Sequence, residues 1–272
     1  MAVIGRAIPP LCQAVSIELG IEDSRLPTPF THLAAAQCLL EDAHIDVAQR
    51  MFLSEERPAF LLGNIAADAR ISGGVTREST HFFAYDRPIE AHPWRVMLAQ
   101  HPRLCPPNSA AQRAFLAGYV AHLCMDEIWS LAMVRPHFGQ GEWLDRRRRF
   151  LMLHVILIFM DERDYGLLAA WQSDSLCAAV PQAWTPFLSD ETLAEWRDFI
   201  GQQMPPRGSS QTLSVLGERL GMQPGELRAI LDDPARMQAD LWQHVPGAFL
   251  AQVEAEMYDH ARTQMAQFLS ET

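Results

Sequence analysis

The stretch Ala114-Phe-Leu-Ala-Gly-Tyr-Val-Ala-His-Leu-Cys-Met-Asp126 is apolar almost throughout and has the composition of a buried helix. Within it, His122 and Asp126 lie four positions apart. Residues at that spacing lie one above the other on a helix face, so the imidazole and the carboxylate point into the same space. Both groups are costly in an apolar interior unless they have a partner. A metal ion is one such partner, and a hydrogen bond between the two is the plain alternative.

The limits of this helix are marked in the sequence. Ser109 is a good N-cap residue after a Pro-Pro-Asn stretch, and Pro136 is predicted to end the helix. Gly118 lies about one turn before His122, where the missing side chain lets a neighbouring helix approach closely.

Helical patterning continues over most of the chain. Further helices are predicted to open near Thr31 and to cover residues 45–52, 143–160, 213–232 and 235–268. Residues 58–68 are predicted as a brief helix or buried turn, and residues 69–80, which contain two adjacent glycines, as a loop. Strand signals are nearly absent, so the sequence predicts an all-α, multi-helix bundle.

A linker is predicted over residues 203–210, which read Gln-Met-Pro-Pro-Arg-Gly-Ser-Ser. We therefore expect residues 1–202 to form a helical domain that carries the metal site. Residues 203–272 are expected to form a C-terminal helical hairpin packed on that domain. Residues 208–272 contain nine acidic residues and four arginines. This net negative charge argues against a nucleic-acid partner.

Composition excludes several functional classes. The chain has 272 residues, is 49% hydrophobic and carries a net charge of −11, as in an ordinary globular protein that does not bind nucleic-acid backbones. It contains no lysine, which excludes a P-loop lysine and a Schiff-base lysine. It also lacks the Gly-x-Ser-x-Gly and Gly-x-Gly-x-x-Gly motifs.

Cysteine usage and hydropathy predict a cytoplasmic protein. No two of the five cysteines form a C-x-x-C pair, which favours reduced thiols; they are Cys12, Cys38, Cys105, Cys124 and Cys177. Residues 1–6 show no signal peptide. The most apolar stretch, residues 150–160, is too short for the roughly 30 Å of a bilayer core, so no transmembrane segment is expected.

Three more residues of metal-ligand type precede the central helix: His32, Asp68 and His81. Each has an ordinary explanation when taken singly, since a lone buried histidine is usually hydrogen-bonded and Asp68 could cap a helix. The same ordinary interpretation is preferred for five other histidines, which are His44, His92, His101, His244 and His260.

The order and the local sequence of the five candidate ligands favour a metal site over these separate explanations. The relevant words are Thr31-His32-Leu-Ala, Phe60-Leu-Leu-Gly-Asn-Ile-Ala-Ala-Asp68, Ser79-Thr80-His81-Phe82 and Gly118-Tyr-Val-Ala-His122-Leu-Cys-Met-Asp126-Glu-Ile-Trp129. Together, over residues 28–165, they resemble the zinc-dependent phospholipase C and single-strand nuclease superfamily.

The resemblance implies an all-α fold with up to three zinc ions held between helices. It implies that Asp68, His81, His122 and Asp126 bind one zinc ion, and that Asp126 bridges to a second ion that His32 helps to bind. Asp68 and Asp126 are the residues that it places at the catalytic centre. Two adjacent metal ions can share a hydroxide that attacks a phosphodiester.

The chain departs from the family at the second zinc ion. Secreted members of the family use the amine and carbonyl of the mature N-terminus as ligands there. In this chain 31 residues precede His32, so a side chain such as Asp42, Glu41 or Asp46 is the expected replacement.

It departs again at the third zinc ion. The family has a histidine where this chain has Ala132, and an acidic residue where it has Ile158. His154 is well placed as a ligand, but Asp161 lies too far along the helix to join it. His137 is a weaker candidate for compensation. We therefore expect one or two metal ions.

The function predicted from this set is that of a metal-dependent hydrolase, in which a metal-bound hydroxide cleaves a phosphoester. Zinc suits the mixed nitrogen and oxygen ligands, and iron or manganese would also suit them. The expected partner is a phosphate-containing small molecule or a lipid head group. Arg70 and Arg77 either contact that phosphate or are solvated loop residues.

Two alternatives remain open. The chain could be an inactive phospholipase C-like protein with a structural metal or none, acting as a binding or scaffold protein. It could also bind a membrane surface through residues 146–159, provided that this helix is exposed. The sequence leaves the oligomeric state open.

Overall fold

All regular secondary structure in residues 28–272, the part of the chain that the computed structural model describes, is helical. The predicted all-α class is therefore confirmed. Two predictions, the reduced state of Cys12 and the absence of a signal peptide, concern residues outside this range.

Fourteen α-helices follow one another in the described chain. The first seven are α1 (Pro29–Glu41), α2 (Val47–Glu55), α3 (Arg57–Gly63), α4 (Arg70–Gly73), α5 (Glu78–His81), α6 (Pro93–Gln100) and α7 (Ala110–Ile128). The others are α8 (Arg146–Tyr165), α9 (Ala170–Cys177), α10 (Asp190–Gln203), α11 (Thr212–Leu220), α12 (Pro224–Leu231), α13 (Pro234–Met237) and α14 (Gly247–Glu271). Short 3₁₀-helices span Ala66–Ala69 and Pro102–Leu104, and π-helices span Trp129–Gly139 and Gln238–Trp242.

The central helix α7 begins as predicted and ends differently. The Ser109 hydroxyl accepts a hydrogen bond from the Gln112 backbone N–H at 3.1 Å and caps the helix. At the other end, the chain continues as the π-helix Trp129–Gly139, and Pro136 lies inside it. The prediction that Pro136 stops the helix is therefore wrong, because the backbone accommodates the proline by widening its turns.

Two further predictions are corrected by glycines in the left-handed conformation. The predicted loop over residues 69–80 contains the one-turn helices α4 and α5, separated by a turn at Gly74 with φ of 63°. The predicted helix over residues 213–232 is divided into α11 and α12 at Gly221, where φ is 64°. The region predicted as a hairpin therefore holds four α-helices and a π-helix.

Residues 203–210, predicted as a linker, are tied to the neighbouring helices. Gln203 and Met204 are buried. The Tyr165 hydroxyl, at the end of α8, contacts the carbonyl oxygens of Gln203 and Gly208 at 2.9 and 2.8 Å. The division into two domains stays a prediction.

The helix α7 is buried along most of its length, with α3 and α14 as its main neighbours. A Cβ atom added to Gly118 would lie 2.3 Å from the Phe60 carbonyl oxygen, and one added to Gly63 would lie 2.0 Å from the Phe115 carbonyl oxygen. The two backbones can approach this closely only because both positions are glycine. The predicted close approach at Gly118 is thereby confirmed.

Within residues 28–272, no helix combines the length and the apolar character needed to cross a bilayer. The helix of residues 146–159 lies within α8, whose second half is largely buried.

Candidate metal centre

Five predicted ligands meet at the side of α7 that faces α1 and α3. His32 comes from α1, Asp68 from the 3₁₀-helix Ala66–Ala69, His81 from the end of α5, and the last two from α7; the group is His32, Asp68, His81, His122 and Asp126. Four of the side chains have no exposed surface, and that of Asp68 is 15% exposed. Residues that are far apart in the sequence thus form one buried polar group.

Asp126 lies at the middle of the group. Its Oδ1 is 3.4 Å from Nε2 of His32, and its Oδ2 is 3.4 Å from Nε2 of His81 and 3.3 Å from Nε2 of His122. Nε2 of His81 also lies 3.5 Å from Oδ1 of Asp68. These separations are longer than ordinary hydrogen bonds and close to the roughly 3.3 Å between neighbouring ligand atoms around a tetrahedral zinc ion.

The atoms that face one another lack hydrogen bonds. Nε2 of His32, His81 and His122 and both carboxylate oxygens of Asp126 are buried without a hydrogen-bond partner. A buried polar atom left unpaired costs about 1–3 kcal/mol. Five such atoms at one point are therefore unfavourable as they stand, and a divalent cation would satisfy all of them, so the residues fit a metal ion.

The outer atoms of two imidazoles are fixed by hydrogen bonds. Nδ1 of His122 donates to the Asn64 carbonyl oxygen at 2.8 Å, so Nε2 faces Asp126 and carries the lone pair when the ring is neutral. Nδ1 of His81 is hydrogen-bonded to the Thr80 hydroxyl at 3.0 Å. Metal-binding histidines characteristically use the second ring nitrogen in this way. The close contact between α3 and α7 therefore also orients a ligand.

The carboxylates are held in their ionised form. Burial alone would raise the pKa of Asp126, but the charge of His122 and the contacts with His122 and His32 outweigh it and hold the pKa well below its usual range. The same balance, with His81 and His122 opposing burial, lowers the pKa of Asp68 to about 2. Ionised carboxylates are the form that binds metal.

Two of the three imidazoles are held in their neutral form. Burial, followed by the charge of Arg77, lowers the pKa of His81 to about 4. Burial and the nearby His122 also lower the pKa of His32. For His122, burial is outweighed by the charge and contact of Asp126, which raise its pKa. A cation that binds His122 therefore displaces a proton from it.

His154, also predicted as a ligand, does not join this group. His154 is buried on α8, but its Nδ1 donates to the Phe150 carbonyl oxygen of its own helix at 2.8 Å. It belongs to none of the groups of potential ligands found within residues 28–272. His137 also lies outside these groups, and its ring packs on Phe249.

The acidic residues proposed for a second ion have other roles. Asp42 binds the Tyr258 hydroxyl at 2.9 Å and Arg262 at 3.3 Å. Asp46 caps α2 through the backbone N–H groups of residues 48 and 49, and Glu41 is exposed. None of the three belongs to the group of potential ligands that contains His32, so the structure does not bring the expected replacement to the centre.

A cavity of about 80 Å³ leads to Asp68 and His81. Arg70 and Arg77 also line it, and its walls are mainly apolar. The wall residues come from α1, α8, α10 and α11 and include Phe30, Leu157, Trp196, Phe199, Val215 and Leu216. Sequence analysis missed these residues, since the periodicity of α11 shows that one face is buried but not which cavity that face lines.

The two arginines are not solvated, which removes one of the two predicted alternatives. Arg70 is 4% exposed and Arg77 is 6% exposed. The Arg77 guanidinium lies 4.3 Å from the ring centre of Phe83 and 4.4 Å from that of Tyr85. Its Nη1 donates to the Phe83 carbonyl oxygen at 2.9 Å, and its Nη2 has no hydrogen-bond partner. A positive group is therefore fixed beside the cavity.

Asp161 lies near the cavity in a separate network. Its carboxylate accepts hydrogen bonds from the hydroxyl of Thr28 and, at 3.2 Å, from that of Ser210. Burial outweighs these contacts and raises the pKa of Asp161 to about 6. A carboxyl group with a raised pKa stabilises the fold below its unfolded pKa, near 4, and this contribution is lost as the pH rises through 6.

We expect Asp161→Asn to flatten the pH dependence of stability. The wild-type chain should lose about 3 kcal/mol of unfolding free energy between pH 4 and pH 8 relative to the variant, because an amide never has to be buried with a charge. Urea unfolding at several pH values measures the difference. Parallel pH profiles for the two proteins would contradict the assignment.

Comparisons of the chain with models of protein families, with curated proteins and with solved structures give no match. The resemblance to phospholipase C-like proteins therefore rests on the residues that carry it.

Proposed function

We propose that this chain is a metal-dependent hydrolase that cleaves a phosphoester, with zinc as the preferred ion. The observation that carries the proposal is the convergence of five potential ligands, four of them fully buried, of which Asp68 and His81 line a cavity together with two buried arginines. When bound, the ion would supply Lewis-acid chemistry that polarises a phosphoryl oxygen and activates water.

The protein's own groups have distinct parts in this reaction. Arg77, and Arg70 beside it, would bind the charged oxygens of the phosphate, for which guanidinium groups are well suited. Asp68 is the one ligand of the five with an exposed side chain, so it reaches both the ion and the cavity. Because its pKa is held near 2, it stays ionised and orients water rather than storing a proton.

The cavity favours an ester with one apolar substituent. Phe30, Leu157 and Trp196 line the space next to the arginines. A phosphate bound by the arginines would place its substituent against these apolar side chains, which would keep bulk water from the reacting bond. A lipid head group or a small phosphodiester fits this description better than a nucleic acid, given the net charge of −11.

A second candidate function is that of an inactive relative that keeps a structural metal. It is favoured by Ala132 and Ile158, which stand where the resemblance leads us to expect ligands for a third ion. The protein would then bind a phosphate-containing ligand without cleaving it.

Metal analysis of purified His122→Ala, combined with hydrolysis of bis-p-nitrophenyl phosphate, tests the proposal. We expect the variant to lose the metal of the centre and at least about 100-fold of the metal-dependent rate, because both the ligand and its link to Asn64 are removed. His154→Ala is the matched control, since it removes another buried histidine that donates to a backbone carbonyl. It should keep the metal.

The outcomes separate the two functions. Wild-type protein prepared with zinc present and found free of metal would overturn both proposals. Bound metal that depends on His122, without turnover of any phosphoester, would favour the inactive relative.

A further inference from the structure

A second cluster of potential ligands lies on another face of α7. Glu127 follows Asp126 directly in the sequence. Because successive residues of a helix point about 100° apart, its side chain lies on a different face of α7 from the metal centre. It meets His92, which precedes the first residue of α6, and His260, in the middle of α14. Three elements from distant parts of the sequence therefore converge on one carboxylate.

The geometry of this cluster is compact. Nδ1 of His92 lies 3.0 and 3.1 Å from the two carboxylate oxygens of Glu127, and Nε2 of His260 lies 3.1 Å from one of them. The centres of the two imidazole rings are 5.0 Å apart. These nitrogen–oxygen distances are a little shorter than the roughly 3.3 Å between neighbouring ligands of tetrahedral zinc, so a small outward shift would admit an ion.

The charges at the cluster favour a cation. The Glu127 side chain is 7% exposed, and its ion-pair partners within residues 28–272 are these two histidines. The carboxylate oxygens accept hydrogen bonds from both rings, and the negative charge of Glu127 lies almost wholly out of solvent. A divalent ion bound by the same three side chains would balance this charge, and the His92 side chain, 42% exposed, gives the ion a path from solvent.

We infer that His92, Glu127 and His260 form a second zinc site, independent of the proposed hydrolase, that fastens α14 to α6 and α7. Two histidines and one glutamate are an established zinc ligand set, with water completing the shell. One turn further along α14, Gln264 accepts a hydrogen bond from the Trp94 indole of α6 at 2.9 Å. The ion would thus reinforce a contact that already joins these two helices.

Zinc binding by His260→Gln in the full chain tests this inference. Glutamine keeps a donor for Glu127 but removes the imidazole. After chelation and titration with zinc, the variant should bind one equivalent less than the wild type. Zinc should raise the Tm of the wild type by about 5 °C more than that of the variant, because an ion bound only to the folded state stabilises it.

Gln264→Ala is the matched control. It removes a hydrogen bond between the same two helices but no potential ligand, so it should lower the Tm and leave the zinc stoichiometry unchanged. If His260→Gln and the wild type bind equal amounts of zinc, the site does not exist. If His122→Ala loses zinc and His260→Gln does not, the proposed metal centre stands and the second site is ruled out. The two proposals can therefore fail separately.

Discussion

Asp126→Asn is expected to abolish metal binding at the centre and, with it, all metal-dependent hydrolysis. Both carboxylate oxygens of Asp126 face histidine nitrogens, Oδ1 that of His32 and Oδ2 those of His81 and His122. An amide of the same shape removes the charge and turns N–H donors toward the lone pairs of the imidazoles. We expect zinc affinity to fall by more than about 100-fold, beyond the effect of losing a supporting hydrogen bond.

Glu127→Gln is the matched control for this variant, because it neutralises the next carboxylate on the same helix. Zinc titration should show that Glu127→Gln loses only the ion of the second site, whereas Asp126→Asn loses the ion or ions of the centre. Circular dichroism would establish that both variants keep their helices. An Asp126→Asn protein that binds as much zinc as the wild type would rule out the centre.

Gly118→Ala is expected to destabilise the fold by about 3 kcal/mol, the upper end for an overpacked core. The new Cβ would lie 2.3 Å from the Phe60 carbonyl oxygen and 2.9 Å from the Asn64 backbone nitrogen. Because a backbone atom of a helix cannot shift independently of its neighbours, the whole of α3 must move away from α7. That movement would also withdraw the Asn64 carbonyl from His122, and zinc affinity should fall together with stability.

Gly225→Ala provides the comparison, since a Cβ atom at this exposed helical position meets no atom within 4 Å. It should stabilise the protein by about 0.5 kcal/mol, the usual gain of alanine over glycine in a helix. Urea unfolding measures both changes. If Gly118→Ala were as stable as Gly225→Ala, the contact between α3 and α7 would not depend on the glycine.

One pair of the centre was predictable from a short-range pattern, whereas His32, Asp68 and His81 were assigned through the family resemblance. The spacing of His122 and Asp126 marks one helix face, and Gly118 indicates where another helix must come close. His154, predicted as a sixth ligand, lies outside the group, and there is a physical reason why the sequence could not show this. Helical spacing gives the face that a residue occupies, but the rotation of α8 against its neighbours, which decides what that face meets, depends on packing throughout the core.

Contacts between distant parts of the chain could not be predicted from local sequence patterns. Glu127 and His260 are 133 residues apart, and no local pattern connects them. The cavity wall supplied by Val215 and Leu216 was missed for the same reason, since amphipathic spacing shows that α11 buries a face but not what that face meets. The π-helix after α7 was missed because residue type alone does not reveal a change of hydrogen-bond register.

The packing of α14 on α7 has a consequence for the order of events on the ribosome. The five residues of the metal centre have all been synthesised by residue 126, yet α7 stays open along the flank that α14 covers until residues 247–271 have emerged. Closing such a distant contact carries a large loop-entropy cost and is slow. A nascent chain paused before α14 therefore exposes apolar surface on α7 and requires protection from aggregation.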